Sequence, residues 1–274
     1  MPTTTPTTST LQRKQRSDHG DWLLALAEIR QTPDRDRASA LVKEAAARIV
    51  RRLRYREPLR PAYGWSGGKD SLALEVVCEA AGLSDCVLVI SALEFPAFLT
   101  WVTNNMPWGL TVEARTALNL TWLAEHPEML FPQSAEAASR WFSLVQHAGQ
   151  RAYARRTGCE MLLLGRRRAD GNYLGQRIET GGYAYTDRGG FERYSPIADW
   201  SHEDVLHVLA AYDRELPPCY SWPRGFRVGT GSWPARQWTE SRAHGWREVQ
   251  EIDPGILQIA AAAGLPGADE ACVA

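Results

Sequence analysis

The chain has 274 residues, of which 44% are hydrophobic and 23% charged, and its formal net charge is −1. That is chain enough for one large domain, or one domain with an extension, in the composition of a globular protein. The near-zero charge excludes broad attraction to nucleic acid unless a local patch supplies it, and no apolar run reaches membrane-span length.

Residues 1–19 open with MPTTTPTTST and contain no apolar core of an export signal. They read as a disordered tail, with the cytoplasm as the default location. The five cysteines, Cys78, Cys86, Cys159, Cys219 and Cys272, form no CxxC or CC pair. They suggest neither a disulfide framework nor a zinc or iron–sulfur knot. His202 and His207 stand five apart, not the four that brings two rings to one helix face, so no metal site is expected there.

Two helices are expected over residues 20–57. The first spans about 21–30, with Asp21 as cap; the second spans about 38–56, with Leu41, Val42, Ala45, Ile49 and Leu53 at helical spacing. Arg48, Arg51, Arg52, Arg54 and Arg56 wrap around the second helix, the mark of a solvated surface.

Residues 58–216 alternate. RPAYGW reads as a brief strand, LALEVVCEAAG as a helix stopped by Gly82, and CVLVIS as a strand buried on both faces. FPAFLTWV begins another helix, and GLTVEA is a third strand. A long helix follows over about 135–157, closed by Gly158, and then CEMLLLG, the clearest strand. GYAYTDRGGFERYSP reads as a hairpin around Arg188-Gly189-Gly190. Ser201, with Asp204 three residues on, caps a helix that Pro217 and Pro218 stop. Such alternation argues for an α/β fold with a parallel sheet. Residues 217–274, dense in Gly, Pro, Trp and Arg, read as an irregular extension. Trp222, Trp233, Trp238 and Trp246 suit a small core of their own better than base stacking.

SGGKDS, at Ser66–Ser71, sits between the first strand of that alternation and its helix. A glycine-rich turn into a helix N-terminus is a ready anion site, with free N–H groups and the positive end of the dipole. Gly67 and Gly68 let the backbone approach the anion, Ser66 and Ser71 offer hydroxyls, and Lys69 a mobile charge. Asp70 repels phosphate, so it orients the loop or a metal. Walker A is excluded, because Tyr63 and Asp70 stand where it needs Gly and Ser or Thr.

In every defining position the stretch resembles SGGxDS, the PP-loop of the adenine nucleotide alpha-hydrolase superfamily, which faces the phosphates of an adenine nucleotide. LLGRRRAD, at Leu163–Asp170, resembles the strand of the phosphoadenosine phosphosulfate (PAPS) reductase family that ends in Gly-x-Arg-Arg. That resemblance puts Gly165, Arg166, Arg167 and Arg168 over the nucleotide's anionic groups. YSPIADWSHEDVLHVLAAYDRELPPCY, at Tyr194–Tyr220, resembles the same family's Pro-Ile/Leu-x-x-Trp…Asp-Val…Leu-Pro segment. The likeness covers residues 60–235 and implies a doubly wound, mainly parallel five-stranded sheet of the HUP type, with its ligand at the carboxyl edge.

The chain also departs from that family. VGTGSW puts Thr230 and Trp233 where iron–sulfur members carry cysteines, so no iron–sulfur cluster is expected. DEACVA keeps Glu270 and Cys272 but lacks the Gly and His of the reductase motif, and Cys219 lies in an exposed-looking PPCY turn. SALEFP lacks the family's Asp-Thr-Gly, leaving Glu94 as the ribose candidate. Two chemistries fit. In one, ATP adenylates an acceptor with Lys69 and Asp70 at work, pyrophosphate leaves into the loop, and Mg²⁺ neutralises the phosphates. In the other, Cys272 or an external thiol attacks the sulfur of PAPS, with thioredoxin as reductant. A nucleotide-sensing module without chemistry is the third reading. The acceptor, small molecule or nucleic acid, stays open, as does a homodimer.

Overall fold

A computed structural model describes residue 11 and residues 17–55, 59–187, 190–236 and 241–273. Most of the expected tail, Arg56, the turn residues Arg188 and Gly189, and Trp238 lie outside the described residues. The strands are β1 (Pro61–Gly64), β2 (Cys86–Ser91), β3 (Leu110–Arg115), β4 (Met161–Leu163), β5 (Gln176–Arg177), β6 (Tyr183–Thr186) and β7 (Glu192–Ser195). The helices in chain order are α1 (His19–Gln31), α2 (Arg35–Tyr55), α3 (Lys69–Ala80), α4 (Pro96–Asn105), α5 (Leu120–Glu125), α6 (Ala135–Phe142) and α7 (Ala148–Thr157). They continue with α8 (His202–Ala211), α9 (Gly225–Val228), α10 (Arg242–Ile252), α11 (Pro254–Ala262) and α12 (Ala268–Val273). The fold is α/β with mainly parallel strands, as expected, and seven strands are described rather than five. No described helix is long and apolar enough to cross a membrane.

The chain divides into two compact units. The first takes residues up to Leu59, Lys69–Leu83 and Met161–Glu215; the second takes Arg60–Gly68, Ser84–Glu160 and Leu216 onward.

In the first unit the strands run in the order β4-β7-β6-β5. β4 and β7 are parallel; β6 folds back on β7 as the expected hairpin, and β5 adds antiparallel to β6. The short β5 had no apolar pattern to announce it. α1 starts earlier than expected, because Asp18 rather than Asp21 caps it through the Gly20 N–H at 2.7 Å. α2 buries Ala38, Val42, Ala45, Ala46 and Ile49 along one side and packs on α3 and α8.

Two of the arginines read as solvated are not. Arg52 donates to the buried Glu192 of β7 at 2.7 and 3.0 Å, and Arg48 to the Pro196 carbonyl at 3.2 Å. Standing four apart, they share the face of α2 that meets this strand end. Ser201 and Asp204 form the expected capping box of α8. That helix ends at Ala211, before the prolines, where Asp213 turns left-handed at φ 51°.

In the second unit β3, β2 and β1 are consecutive and parallel. The long helix is α6 and α7 joined through a π-helical turn, Ser143–His147, and Gly158 closes it at φ 72°. α7 lies so close on β2 that a methyl at Gly149 would come within 2.3 Å of Val89 Cγ1. The C-terminal extension is not irregular throughout, since α10, α11 and α12 fill it. Ser241 caps α10, Asp253 caps α11, and Pro254 sits at the first position of α11.

Of the tryptophans anticipated as a small core, Trp233 and Trp246 are buried and in ring contact at 5.7 Å, with Phe131 edge-on to Trp246 at 5.0 Å, whereas Trp222 is half-buried against Phe95 at 4.6 Å. Arg224 and Arg236 converge on the buried Glu248. Burial alone would raise that carboxyl, but the two guanidiniums outweigh it and hold Glu248 below the ordinary carboxylate range.

Candidate functional site

The loop divides between the units at Gly68 and Lys69. In the second unit, β1 ends at Gly64 and Trp65 still donates to the Val87 carbonyl, so Ser66 leaves the sheet at its carboxyl edge. Gly67 has φ +66°, and a methyl on it would meet Trp101 at 2.9 Å and Phe98 at 3.1 Å. Trp101 in turn stacks on Trp65 at 5.8 Å. The loop therefore rests on an aromatic floor that leaves no room for a side chain.

Gly68 has a different neighbourhood. A methyl built there would lie 3.2 Å from Ser66 Oγ, 3.4 Å from Thr230 Oγ1 and 3.4 Å from Tyr220 Oη. Three hydroxyls thus border the glycine whose backbone opens the helix. Thr230 and Tyr220 join the loop here although the sequence reading gave them no ligand role. Thr230 drew notice only as a missing cysteine.

In the first unit, Lys69 is completely buried and its Nζ donates to Asp70 Oδ1 at 2.6 Å. It is not the mobile charge expected. Arg167, also completely buried, is in ion-pair contact with the same Oδ1 at 2.9 Å. Its Nη2 reaches Asp170 at 3.2 Å and donates to His202 Nδ1 at 2.8 Å, and Nη1 donates to the Trp200 carbonyl at 3.3 Å. Because a guanidinium only donates, His202 Nδ1 accepts, which places that ring's proton on Nε2. Two cations and two carboxylates balance in this cluster, so it braces the start of α3 rather than adding net charge to a ligand site.

Gly165 belongs to the same bracing, since a methyl there would come within 2.6 Å of the Asp70 carbonyl oxygen. Arg166 donates to Tyr185 Oη at 2.8 Å. Arg168 has a side chain 66% exposed and lies 3.4 Å from Asp199. Of the three arginines, Arg168 is the exposed one. Ser71 is buried in the first turn of α3.

Glu94 follows β2 in the second unit and lines a cavity with Ser66. Its Oε1 accepts from Ser91 N at 3.0 Å, Ser91 Oγ at 3.0 Å and Ser232 Oγ at 2.8 Å. Burial pushes the carboxyl above its ordinary 4.5, against the pull of those donors. A raised folded pKa means that the folded chain holds a proton the unfolded chain has released. The stability this gives is present in acid and is lost as pH rises through the folded value. Glu94→Gln stays neutral throughout, so its melting temperature relative to wild type should climb from pH 4 to pH 8. A flat difference across a thermal unfolding series would show that the carboxyl is not perturbed.

Four cysteines, Cys78, Cys86, Cys159 and Cys219, are buried, and Cys272 on α12 is exposed. The exposed turn expected at Cys219 is a correction, for the residue is 2% exposed and burial pushes its thiol up to about 12. The Pro-flanked segment packs inward instead of standing off the surface.

No family model matches the chain, and no curated protein matches it. Among solved structures it is similar to the PAPS reductase of Candida auris in its phosphate complex, at 12% identity over 76% of this chain and 94% of that one, TM-score 0.49. It is also similar to the FMN adenylyltransferase of Candida glabrata with FMN and an ATP analogue, at 12% identity over 71% and 63%, TM-score 0.42. A third is the U34-tRNA thiolase of Methanococcus maripaludis with its iron–sulfur cluster, at 15% identity over 86% and 78%, TM-score 0.42. The chain's own SGGKDS runs from a parallel strand into a helix, with Gly67 left-handed. At such low identity, the role of each residue around SGGKDS rests on this chain's own geometry.

Proposed function

We propose that the chain is a PP-loop enzyme that binds ATP through Ser66–Ser71, adenylates an oxygen of an acceptor and releases pyrophosphate. The observation that carries this reading is the setting of Gly68, a glycine at a helix start whose N–H donates to Ser66 Oγ at 3.3 Å and which the hydroxyls of Ser66, Thr230 and Tyr220 border. Backbone N–H groups and neutral hydroxyls suit a polyphosphate that must bind and leave. In the reaction, the acceptor oxygen bonds to the α-phosphorus as the bond to the bridging oxygen breaks. Pyrophosphate departs, and a sulfur or nitrogen nucleophile then displaces AMP. Lys69, Asp70 and Arg167 act as positioning residues that fix the first turn of α3. Among the described residues no three His, Cys, Asp or Glu side chains converge as metal ligands, and Asp70 is engaged by two cations. A Mg²⁺ ion would therefore arrive on the nucleotide's own phosphates and supply charge neutralisation there.

The competing reading is a thiol-dependent reduction of PAPS. It needs a thiolate, and Cys219 is too deeply buried to provide one. That leaves Cys272, which is exposed, or an external thiol. With ATP and a correct acceptor, AMP and pyrophosphate should appear in equal amounts, and Cys272→Ser should leave that turnover unchanged. Sulfite release from PAPS with thioredoxin, abolished by Cys272→Ser, would overturn the proposal. Binding of ATP without turnover of either nucleotide would favour a sensor.

A further inference from the structure

In the second unit, β3 pairs with β2 and with no other described strand, in unbroken register from Cys86↔Leu110 to Ser91↔Arg115. Its other side is an edge. Which backbone groups point there follows from the neighbouring ladder. Tyr63 N–H donates to the Asp85 carbonyl at 3.0 Å and Trp65 N–H to the Val87 carbonyl at 2.9 Å. Odd-numbered residues of β2 thus turn their groups to β1, and the even-numbered ones serve β3. In that register Thr111, Glu113 and Arg115 bond back to β2, while Leu110, Val112 and Ala114 aim N–H and C=O outward. Among the described residues only the Leu110 N–H meets a backbone partner there, the Pro107 carbonyl at 3.3 Å.

The same three residues share one face of the strand, because side chains alternate. On that face Val112 is 47% exposed and Ala114 is exposed too. In the turn before β3, Met106 is 56% exposed and Trp108 87%. The two charged residues, Glu113 and Arg115, lie on the opposite face, where Glu113 pairs with Arg156 of α7. Natural edge strands are guarded by proline, by a bulge or by charge on the exposed face. β3 has no proline and no bulge, and its exposed face is apolar. Such an edge is a template for another strand.

We propose that β3 pairs antiparallel with β3 of a second copy of this chain, across a two-fold axis that passes beside Val112, perpendicular to the strands. Such an axis keeps each face on its own side, so residues of equal parity stand opposite one another. The outward-pointing residues then exchange hydrogen bonds: Leu110 with Ala114 of the second copy, Val112 with its own counterpart, and Ala114 with Leu110. Charge and strand length select this register. An axis at Glu113 would set that carboxylate directly against its counterpart, a destabilising contact. An axis at Ala114 would oppose Glu113 to Arg115, but it would also set Leu110 against Leu118, which is buried beyond the strand's end. With the axis at Val112, Glu113 stands opposite the hydroxyl of Thr111. The two Glu113 carboxylates are then only diagonal neighbours, each offset by its own Arg156. The pairing does not depend on what the SGGKDS loop binds.

Sedimentation velocity of the full chain over about 1–100 µM is the test, with urea unfolding as the check on each variant's fold. Wild type should run as a dimer at the top of that range and dissociate on dilution. Val112→Arg sets two cations against each other on the axis, so it should weaken association about tenfold or more and leave unfolding unchanged. In a Cys272→Ser background the four remaining cysteines are buried. There, Val112→Cys should cross-link two copies on oxidation, since opposed Cα atoms lie about 5.5 Å apart. Ala114→Cys should not, because the same axis holds its two copies about 14 Å apart. A wild type that stays monomeric, a dimer that Val112→Arg leaves intact, or cross-linking by Ala114→Cys instead would each overturn the proposal. So would a monomer whose Val112 and Ala114 amides are protected from hydrogen exchange, the sign that another segment of this chain covers the edge.

Discussion

Arg167→Ala is expected to destabilise the protein by about 3–5 kcal/mol, the range for breaking a buried ion pair by removing one partner. The side chain is completely buried and holds Asp70, Asp170, His202 and the Trp200 carbonyl together. Its loss strands two carboxylates, with Lys69 left to compensate Asp70 alone. Arg168→Ala, from an exposed pair, should cost about 0–1 kcal/mol. Urea unfolding at neutral pH compares the two directly. If Arg167→Ala is as mild as Arg168→Ala, the arginine belongs to the ligand and not to the brace.

Gly67→Val is the second large effect. An L-residue at this left-handed position costs about 1–2 kcal/mol, and forcing a side chain into a packed space adds about 1–3 kcal/mol. Both apply, because φ is +66° and the floor of Trp101 and Phe98 is already within 3.1 Å of a single methyl. The expected sum is about 2–5 kcal/mol with loss of ATP binding, read from unfolding and calorimetry on the same sample. Gly68→Ala is the counterpart. Its φ is not positive and its methyl meets hydroxyls no closer than 3.2 Å, so the variant should fold nearly as wild type. A Gly67→Val protein as stable as Gly68→Ala would contradict the geometry of the loop.

The parts of this site legible in the sequence are those that are local along the chain. SGGKDS carries its own turn chemistry, and CVLVIS and CEMLLLG announce buried strands by unbroken apolarity. What escaped depends on contacts distant in sequence. Nothing near Lys69 says that its ammonium will be buried on its neighbour, or that Arg167 will arrive on the same carboxylate. The Arg167–Asp170 spacing did hold a signal, since residues three apart meet on one turn. Cys219 was misread because a Pro-flanked turn normally faces water, whereas here the segment packs inward. In the extension, the density of Gly and Pro masked start signals that were present: Ser241 before α10, and Asp253-Pro254 at α11. Arg48 and Arg52 looked solvated because charge on a helix usually is; Glu192 of β7 and the Pro196 carbonyl just after it give that face its partners.

The most direct measurement is calorimetric titration of wild type and Gly68→Ala with ATP, after unfolding curves have shown the two equally folded. A saturable ATP site in wild type, weakened at least tenfold by one methyl beside Ser66, Thr230 and Tyr220, is the predicted result. Equal affinity in both proteins, or no ATP binding by wild type, would contradict the assignment of SGGKDS as the nucleotide's phosphate site.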